Sequence, residues 1–227
     1  MGAISSMSLP QIVLAIGALG TAAAGLVDAS KASNTGGVSR VGFADIEAVV
    51  SKFIPPGGTS ALSLPSVLET LLANWMNGMA MADQKSVAKA LIKLNLTTDT
   101  APRMAAAAGV NAATLATVAT NLASGGQLSQ AETDVYGRFD LLLSAMLDQG
   151  YQRGDQRYRN RAKFLAVPIA IGLALIGVWA MDGAATSVAE LAKAFVAGLV
   201  ATPLAPIAKD LASAIQAGSK VAQALKG

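Results

Sequence analysis

The stretch from Phe164 to Met181, FLAVPIAIGLALIGVWAM, runs 18 residues without a charge and follows directly on Arg153, Arg157, Arg159, Arg161 and Lys163. Coiled as an α-helix at 1.5 Å per residue it reaches roughly 27 Å, about the thickness of one hydrocarbon core. Lipid offers backbone amides no partner, so a single apolar segment crosses it only as a helix that closes its own hydrogen bonds. The five cations before it face one acid, Asp155. Because clustered cations are retained in the cytoplasm, the segment is predicted to leave the cytoplasm and cross outward. Trp179 then falls at the far end, where interfacial aromatics sit.

Leu9 to Val27, LPQIVLAIGALGTAAAGLV, is a second charge-free run of 19 residues, again long enough to cross. Thr21-Ala22-Ala23-Ala24 offers small residues of the kind a signal peptidase accepts, but no Lys or Arg precedes the run, so it is expected to stay as an anchor. Gly17, Thr21 and Gly25 fall at i, i+4 and i+8, a face on which another helix packs closely. Met1-Gly2-Ala3-Ile4-Ser5-Ser6 matches a myristoylation pattern formally, and an apolar helix starting at once makes a lipid chain redundant.

Asp182-Gly183-Ala184 is the expected external turn. Beyond it Glu190 and Lys193 interrupt the apolar pattern, and a Lys at the bilayer centre costs about 2.5–3.5 kcal/mol on insertion scales. Ser187 to Lys193 is therefore assigned to the outer interface and Ala194 to Ala208 to a third span, bent by Pro203 and Pro206. A re-entrant hairpin is the alternative. Asp182, Glu190 and Lys193 are candidate outer-mouth residues of a pore, weighed against an ordinary interfacial role. The tail from Lys209 to Gly227 reads as a weakly amphipathic helix on the inner surface.

Between the spans the chain turns polar. Residues 28–42 read as a Gly/Ser-rich linker. Apolar residues at Phe43, Ile46, Val49/Val50 and Phe53 predict a helix that Pro55-Pro56-Gly57-Gly58 ends. Leu64-Pro65-Ser66 opens another, with Val67, Leu68, Leu71, Leu72, Trp75 and Met79 as its stripe. Asp83 is read as the N-cap of a helix through Leu94, with Val87, Leu91 and Leu94 facing inward and Lys85, Lys89 and Lys93 on the opposite side. A short helix follows Pro102, and one from Asn111 to Leu122 stops at Gly125-Gly126. From Leu128 onward Ala131, Val135, Phe139, Leu142, Met146 and Gln149 form a heptad-like seam, weakened by Gly137, Gly150 and Gly154, with a break near Gly150 left open. The expected plan is thus an all-α integral membrane protein with about three transmembrane helices. Its parts are an N-terminal helix (1–27), a linker (28–42), a helical cytoplasmic domain (43–163), a membrane hairpin (164–208) and a cytoplasmic tail (209–227). The N-terminus lies outside.

Composition narrows the chemistry. Hydrophobic residues make up 53% and charged ones 14%, with a mean hydropathy of +0.49, on the apolar side of a soluble average. Cys and His are absent, which removes thiol nucleophiles, disulfides, haem ligation through His and nearly every zinc site; no cofactor or metal is expected. A net charge of +3 is too small to imply a nucleic-acid partner. The acids are scattered: Asp134 and Asp140 do not share a face, and Asp45 and Glu47 point apart. Gly57-Gly58-Thr59-Ser60 lacks the Lys and strand of a phosphate loop. No Ser and Lys share a face inside a span, so no dyad is formed. An enzyme is not expected.

Three local patterns in the C-terminal half resemble a group of uncharacterised bacterial inner-membrane proteins. They are Arg138-Phe139-Asp140, then Met146, then Arg157-Tyr158-Arg159-Asn160-Arg161 entering an apolar helix; the exit Met181-Asp182-Gly183-Ala184-Ala185-Thr186; and Ala205-Pro206-Ile207-Ala208-Lys209-Asp210-Leu211. Where that group shows Trp-Tyr ahead of paired basic residues, this chain has Gln156-Arg157-Tyr158. The resemblance implies one apolar helix, a helical cytoplasmic region and a terminal membrane hairpin, and brings no activity with it. The role expected is a membrane-anchored scaffold that self-associates as a homo-oligomer in the bacterial inner membrane. Its partners are the bilayer and other membrane proteins, and the basic run at 153–163 touches anionic headgroups or docks an acidic partner. A channel component and an accessory subunit of a larger complex are the alternatives.

Overall fold

The computed structural model describes residues 8–29, 37–57 and 62–224; the myristoylation pattern, most of the linker and part of the Gly57–Ser60 turn lie outside them. Among the described residues all regular structure is helical: α1 (Leu9–Ala29), α2 (Ser39–Phe53), α3 (Leu64–Met76), α4 (Met81–Leu94), α5 (Ala101–Ala108), α6 (Ala112–Ser124), α7 (Gln130–Asp182) and α8 (Val188–Ala224). The chain divides into a central unit, residues 33–158, and a terminal unit made of residues 1–32 and 159–227.

The central unit is built on the apolar stripes the sequence carries. Phe43, Ile46, Val50 and Phe53 of α2, Leu71 of α3, Ile92 of α4, Met104 of α5 and Leu115 of α6 are buried around Phe139, Leu143, Leu147 and Tyr151 of α7. Local signals fix the ends. The Asn111 side chain accepts from the Thr114 amide, and the next stop, Gly125, takes φ +71°, a left-handed cap that glycine adopts without strain. Asp83 does not cap α4, which starts two residues earlier at Met81 and leaves Asp83 in the first turn, where a carboxylate still favours the helix dipole.

Two expectations for this unit are corrected. The seam of α7 is centred on Phe139, Leu143, Leu147 and Tyr151, and it is covered within the chain by the other helices of the core. Gly150 and Gly154 mark no break, since α7 is one helix of 53 residues. They mark contact: a Cβ on Gly150 would lie 2.9 Å from Val49 Cγ2, and one on Gly154 would lie 2.6 Å from the Gly42 carbonyl oxygen. The loss of helix propensity, about 1 kcal/mol each, is offset by close approach of two backbones.

The lysines are the second correction. Lys85 pairs with Asp148, and Lys89 and Lys93 both donate to Asp140, at 2.6 and 3.0 Å. What the sequence shows as a solvated face of α4 is a clamp on α7, half-buried rather than free in water.

The terminal unit is assembled from small residues. Gly17, Gly20, Ala23 and Val27 are the buried face of α1. A Cβ on Gly17 would lie 2.0 Å from Ala208 Cβ, and one on Gly20 would lie 2.1 Å from the Ala201 carbonyl oxygen. Since rising numbers on α1 meet falling numbers on α8, the two helices are antiparallel. Gly198 of α8 is seated on Ala170 and Ile171 of α7, closing the α7–α8 hairpin across a short 3-10 turn at Gly183–Ala185. α8 continues through Pro203 and Pro206 to Ala224, so the third apolar run and residues 209–224 form one helix.

Candidate membrane interface

The terminal unit keeps its small side chains inside and its large apolar ones outside. Ala23, Ala166, Ala170, Ala194, Ala201 and Ala208 are buried, whereas Phe164 is 69% exposed, Trp179 66% and Met181 80%. Water-soluble bundles reverse this order, because large apolar side chains stabilise most when withdrawn from water. Leu26, Ile176, Phe195, Val196, Leu199 and Ile207 extend the exposed apolar surface over all three helices. Large apolar side chains left exposed in this number mark a surface meant for lipid or protein.

α7 also carries Arg153, Arg157, Arg159, Arg161 and Lys163, all exposed. At 3.6 residues per turn, Arg153, Arg157 and Arg161 form one stripe and Arg159 and Lys163 another on the opposite side. The cations therefore occupy two sides of the helix instead of forming one patch. Arg157 also pairs with Asp45 of α2, at 3.1 Å between Nε and Oδ2.

Gly17 lies at the α1–α8 contact, while Thr21 and Gly25 are on the exposed side of α1; the Thr21 hydroxyl donates to the Gly17 carbonyl, and a Cβ on Gly25 would meet open space. The face read at intervals of four thus runs at three, three and four, through Gly17, Gly20, Ala23 and Val27. Glu190 accepts from the amide and hydroxyl of Ser187, both at 2.8 Å, and its own amide faces the Ser187 hydroxyl. This reciprocal arrangement is a capping box that starts α8, and Ser187-x-x-Glu190 was its signal in the sequence. Lys193 is exposed, and the Asp182 side chain lies outside the described residues.

Sequence reasoning missed the clamp between α4 and α7. Around it lies an open groove of about 540 Å³ lined by Ser86, Lys89, Ala90, Lys93, Leu94 and Tyr136. Burial alone would lower the Lys93 pKa, but hydrogen bonds with Tyr136 and Asp140 raise it above 10.5. Burial likewise works to raise Asp140, and its bonds with Lys89 and Lys93 reverse this and hold it below 3.8. The sign follows from linkage: a carboxylate depressed in the folded state stabilises above its unfolded value, and loses that contribution as pH falls through the folded one. Unfolding midpoints should accordingly drop in acid below pH 3.8. Asp140→Asn should remove the share of that drop due to this group, about 1 kcal/mol for partly exposed pairs; thermal melts at neutral and acid pH compare the two chains. No group of three or more potential metal-ligating side chains occurs among the described residues.

Comparison with family models, with curated proteins and with solved structures finds no match for this chain. Fold and surface together define its class: an all-α protein with three helices, in α1, α7 and α8, long and apolar enough to cross a membrane.

Proposed function

We propose that the protein is a non-enzymatic scaffold of the bacterial inner membrane that self-associates, its terminal unit in lipid and its central unit in the cytoplasm. The observation that carries this reading is the inverted order of the terminal unit, with alanines inside and Phe164, Ile176, Trp179 and Met181 outside. The cations on α7 support the cytoplasmic side for the start of the hairpin, each contributing about 1 kcal/mol near an anionic surface. The motif resemblance in the C-terminal half favours the compartment.

The chain contains no cysteine, so one introduced thiol reports sidedness without interference. Met181→Cys is expected to react with a membrane-impermeant reagent from outside intact cells. Replacing Arg153, Arg157, Arg159, Arg161 and Lys163 together by Gln is expected to scramble that orientation, giving labelling from both sides. Labelling of the unaltered basic chain from inside alone overturns the topology. Self-association is tested by mass measurement in mild detergent: a multiple of the chain mass is expected, and a monomer, or a fixed stoichiometry with an unrelated protein, removes the scaffold reading.

A further inference from the structure

Lys89 and Lys93 stand one turn apart on α4 and share a single carboxylate of α7, Asp140, at 2.6 and 3.0 Å. A clamp that only ties two helices together needs one cation for each acid, and Lys85 with Asp148 is such a pair on the same two helices. Two ammonium groups on one carboxylate leave one positive charge over. They also leave donors. Of the three N–H bonds on each ammonium, Asp140 takes one from each lysine and Tyr136 another from Lys93, so two remain on Lys89 and one on Lys93.

The open groove of about 540 Å³ beside the clamp holds both lysines and Tyr136, with Ala90 and Leu94 as its apolar part. Its volume falls in the range of small-molecule sites, about 300–1,000 Å³. Leu94 does not face inward as the periodicity of α4 suggests; it is 65% exposed. Asp83 lies on the same exposed row, one turn before Ser86, which sets the nearest acid of that row at the far end from Lys93. Ten residues of helix separate the two, about 15 Å, more than the Debye length of about 8 Å in physiological salt. Asp140 already fixes both long lysine side chains, so an incoming anion meets donors that need no further ordering.

We propose that this groove of the central unit binds a singly charged oxyanion carried on an apolar stem, its head on Lys89 and Lys93 and its stem on Ala90 and Leu94. The single excess charge matches a carboxylate or a phosphodiester, whereas a dianion would leave negative charge half-buried and unbalanced. Two sources carry this chemistry, a soluble carboxylate and the headgroup of an acidic lipid.

The test follows acetylation of individual lysines in the full chain in mild detergent, using limiting reagent and mass spectrometry of the peptides. Hexanoate supplies charge and stem, acetate the charge alone and hexanol the stem alone. Hexanoate at about twice its dissociation constant is expected to slow Lys89 and Lys93 about threefold by mass action, leaving Lys52 unchanged. Acetate and hexanol should slow them less. Lys93→Gln leaves Lys89 and Asp140 as a balanced pair, and hexanoate should then no longer protect Lys89. Leu94→Ser, a change at an exposed position that leaves the fold intact, should reduce hexanoate to the effect of acetate. The source is read in bilayer discs without added hexanoate: slower acetylation in phosphatidylglycerol than in phosphatidylcholine assigns the headgroup, and equal rates in the two lipids assign the soluble carboxylate. Absence of protection by both hexanoate and phosphatidylglycerol overturns the site. So does equal slowing of Lys52, or protection of Lys89 that persists in Lys93→Gln.

Discussion

Gly154→Val is expected to remove the cooperative unfolding of the central unit, or to lower its midpoint so far that the unit is largely open at growth temperature. The neighbour of the new Cβ is not a side chain that can rotate away. It is the Gly42 carbonyl, 2.6 Å from the built position, and a Cβ on Gly42 would likewise lie 2.4 Å from the Gly154 carbonyl. Two helices touching through backbone can respond only by moving apart, and that movement unseats Ile46 and Tyr151, which lie on the same faces and are fully buried. Overpacking typically costs about 1–3 kcal/mol where neighbours relax, and more where they do not. Against a total stability of about 5–15 kcal/mol, such a loss together with a loosened core is decisive. Gly137→Val is the matched control, because a Cβ there meets nothing within 4 Å; it should leave the midpoint unchanged or raise it slightly. Fluorescence of Trp75, in a Trp179→Phe background, reads the transition directly, since its ring contacts Tyr151 and Tyr158 and its indole donates to the Ser39 carbonyl. Equal midpoints for the two variants would mean that α2 and α7 do not touch at this point.

That pair of glycines also shows what the sequence displayed and what it concealed. Periodicity located α2 and α3 within a few residues, because Phe43, Ile46 and Val50, or Val67, Leu68 and Leu71, recur at helical spacing regardless of what covers them, and Pro102 and Gly125-Gly126 marked α5 and α6. The two charge-free runs and the basic residues before Phe164 were legible for the same reason: their meaning lies in composition over a local window. Gly150 and Gly154 read as weakness because propensity is a property of one helix, whereas their value lies in contact with a second helix about a hundred residues away in the chain. Lys85, Lys89 and Lys93 looked solvated because period 3.6 separates them from Val87 and Leu91 on α4; only the placement of Asp140 and Asp148 opposite them turns the row into a clamp. The direction of α1 against α8 was equally unreadable, since small residues at intervals of three and four permit either a parallel or an antiparallel partner. Local patterns thus specify elements and their apolar faces, and pairing between distant elements supplies the rest.

Phe139→Ala should cost about 3–5 kcal/mol, the range for truncating a fully buried aromatic whose site collapses only in part. Phe139 has no exposed surface, meets Phe53 edge-on at 6.2 Å between centroids and stacks on Tyr136 at 6.3 Å. Its loss opens a cavity where α2, α7 and the α4 clamp converge, and Tyr136 is also the ring beneath the Lys93 ammonium, 4.8 Å away. The variant should therefore weaken the clamp as well as the core, and Phe139→Ala combined with Asp140→Asn should cost less than the sum of the two changes, as neighbouring sites that share partners do. Leu141 lies two residues on and is 71% exposed, so Leu141→Ala should fall within about 0.5 kcal/mol of the parent. Denaturant titration of detergent-solubilised protein measures all four chains on one scale. A loss at Leu141→Ala as large as that at Phe139→Ala would place the opposite face of α7 in the interior, and would dissolve with it the contact between Gly154 and Gly42 that fixes this helix against α2.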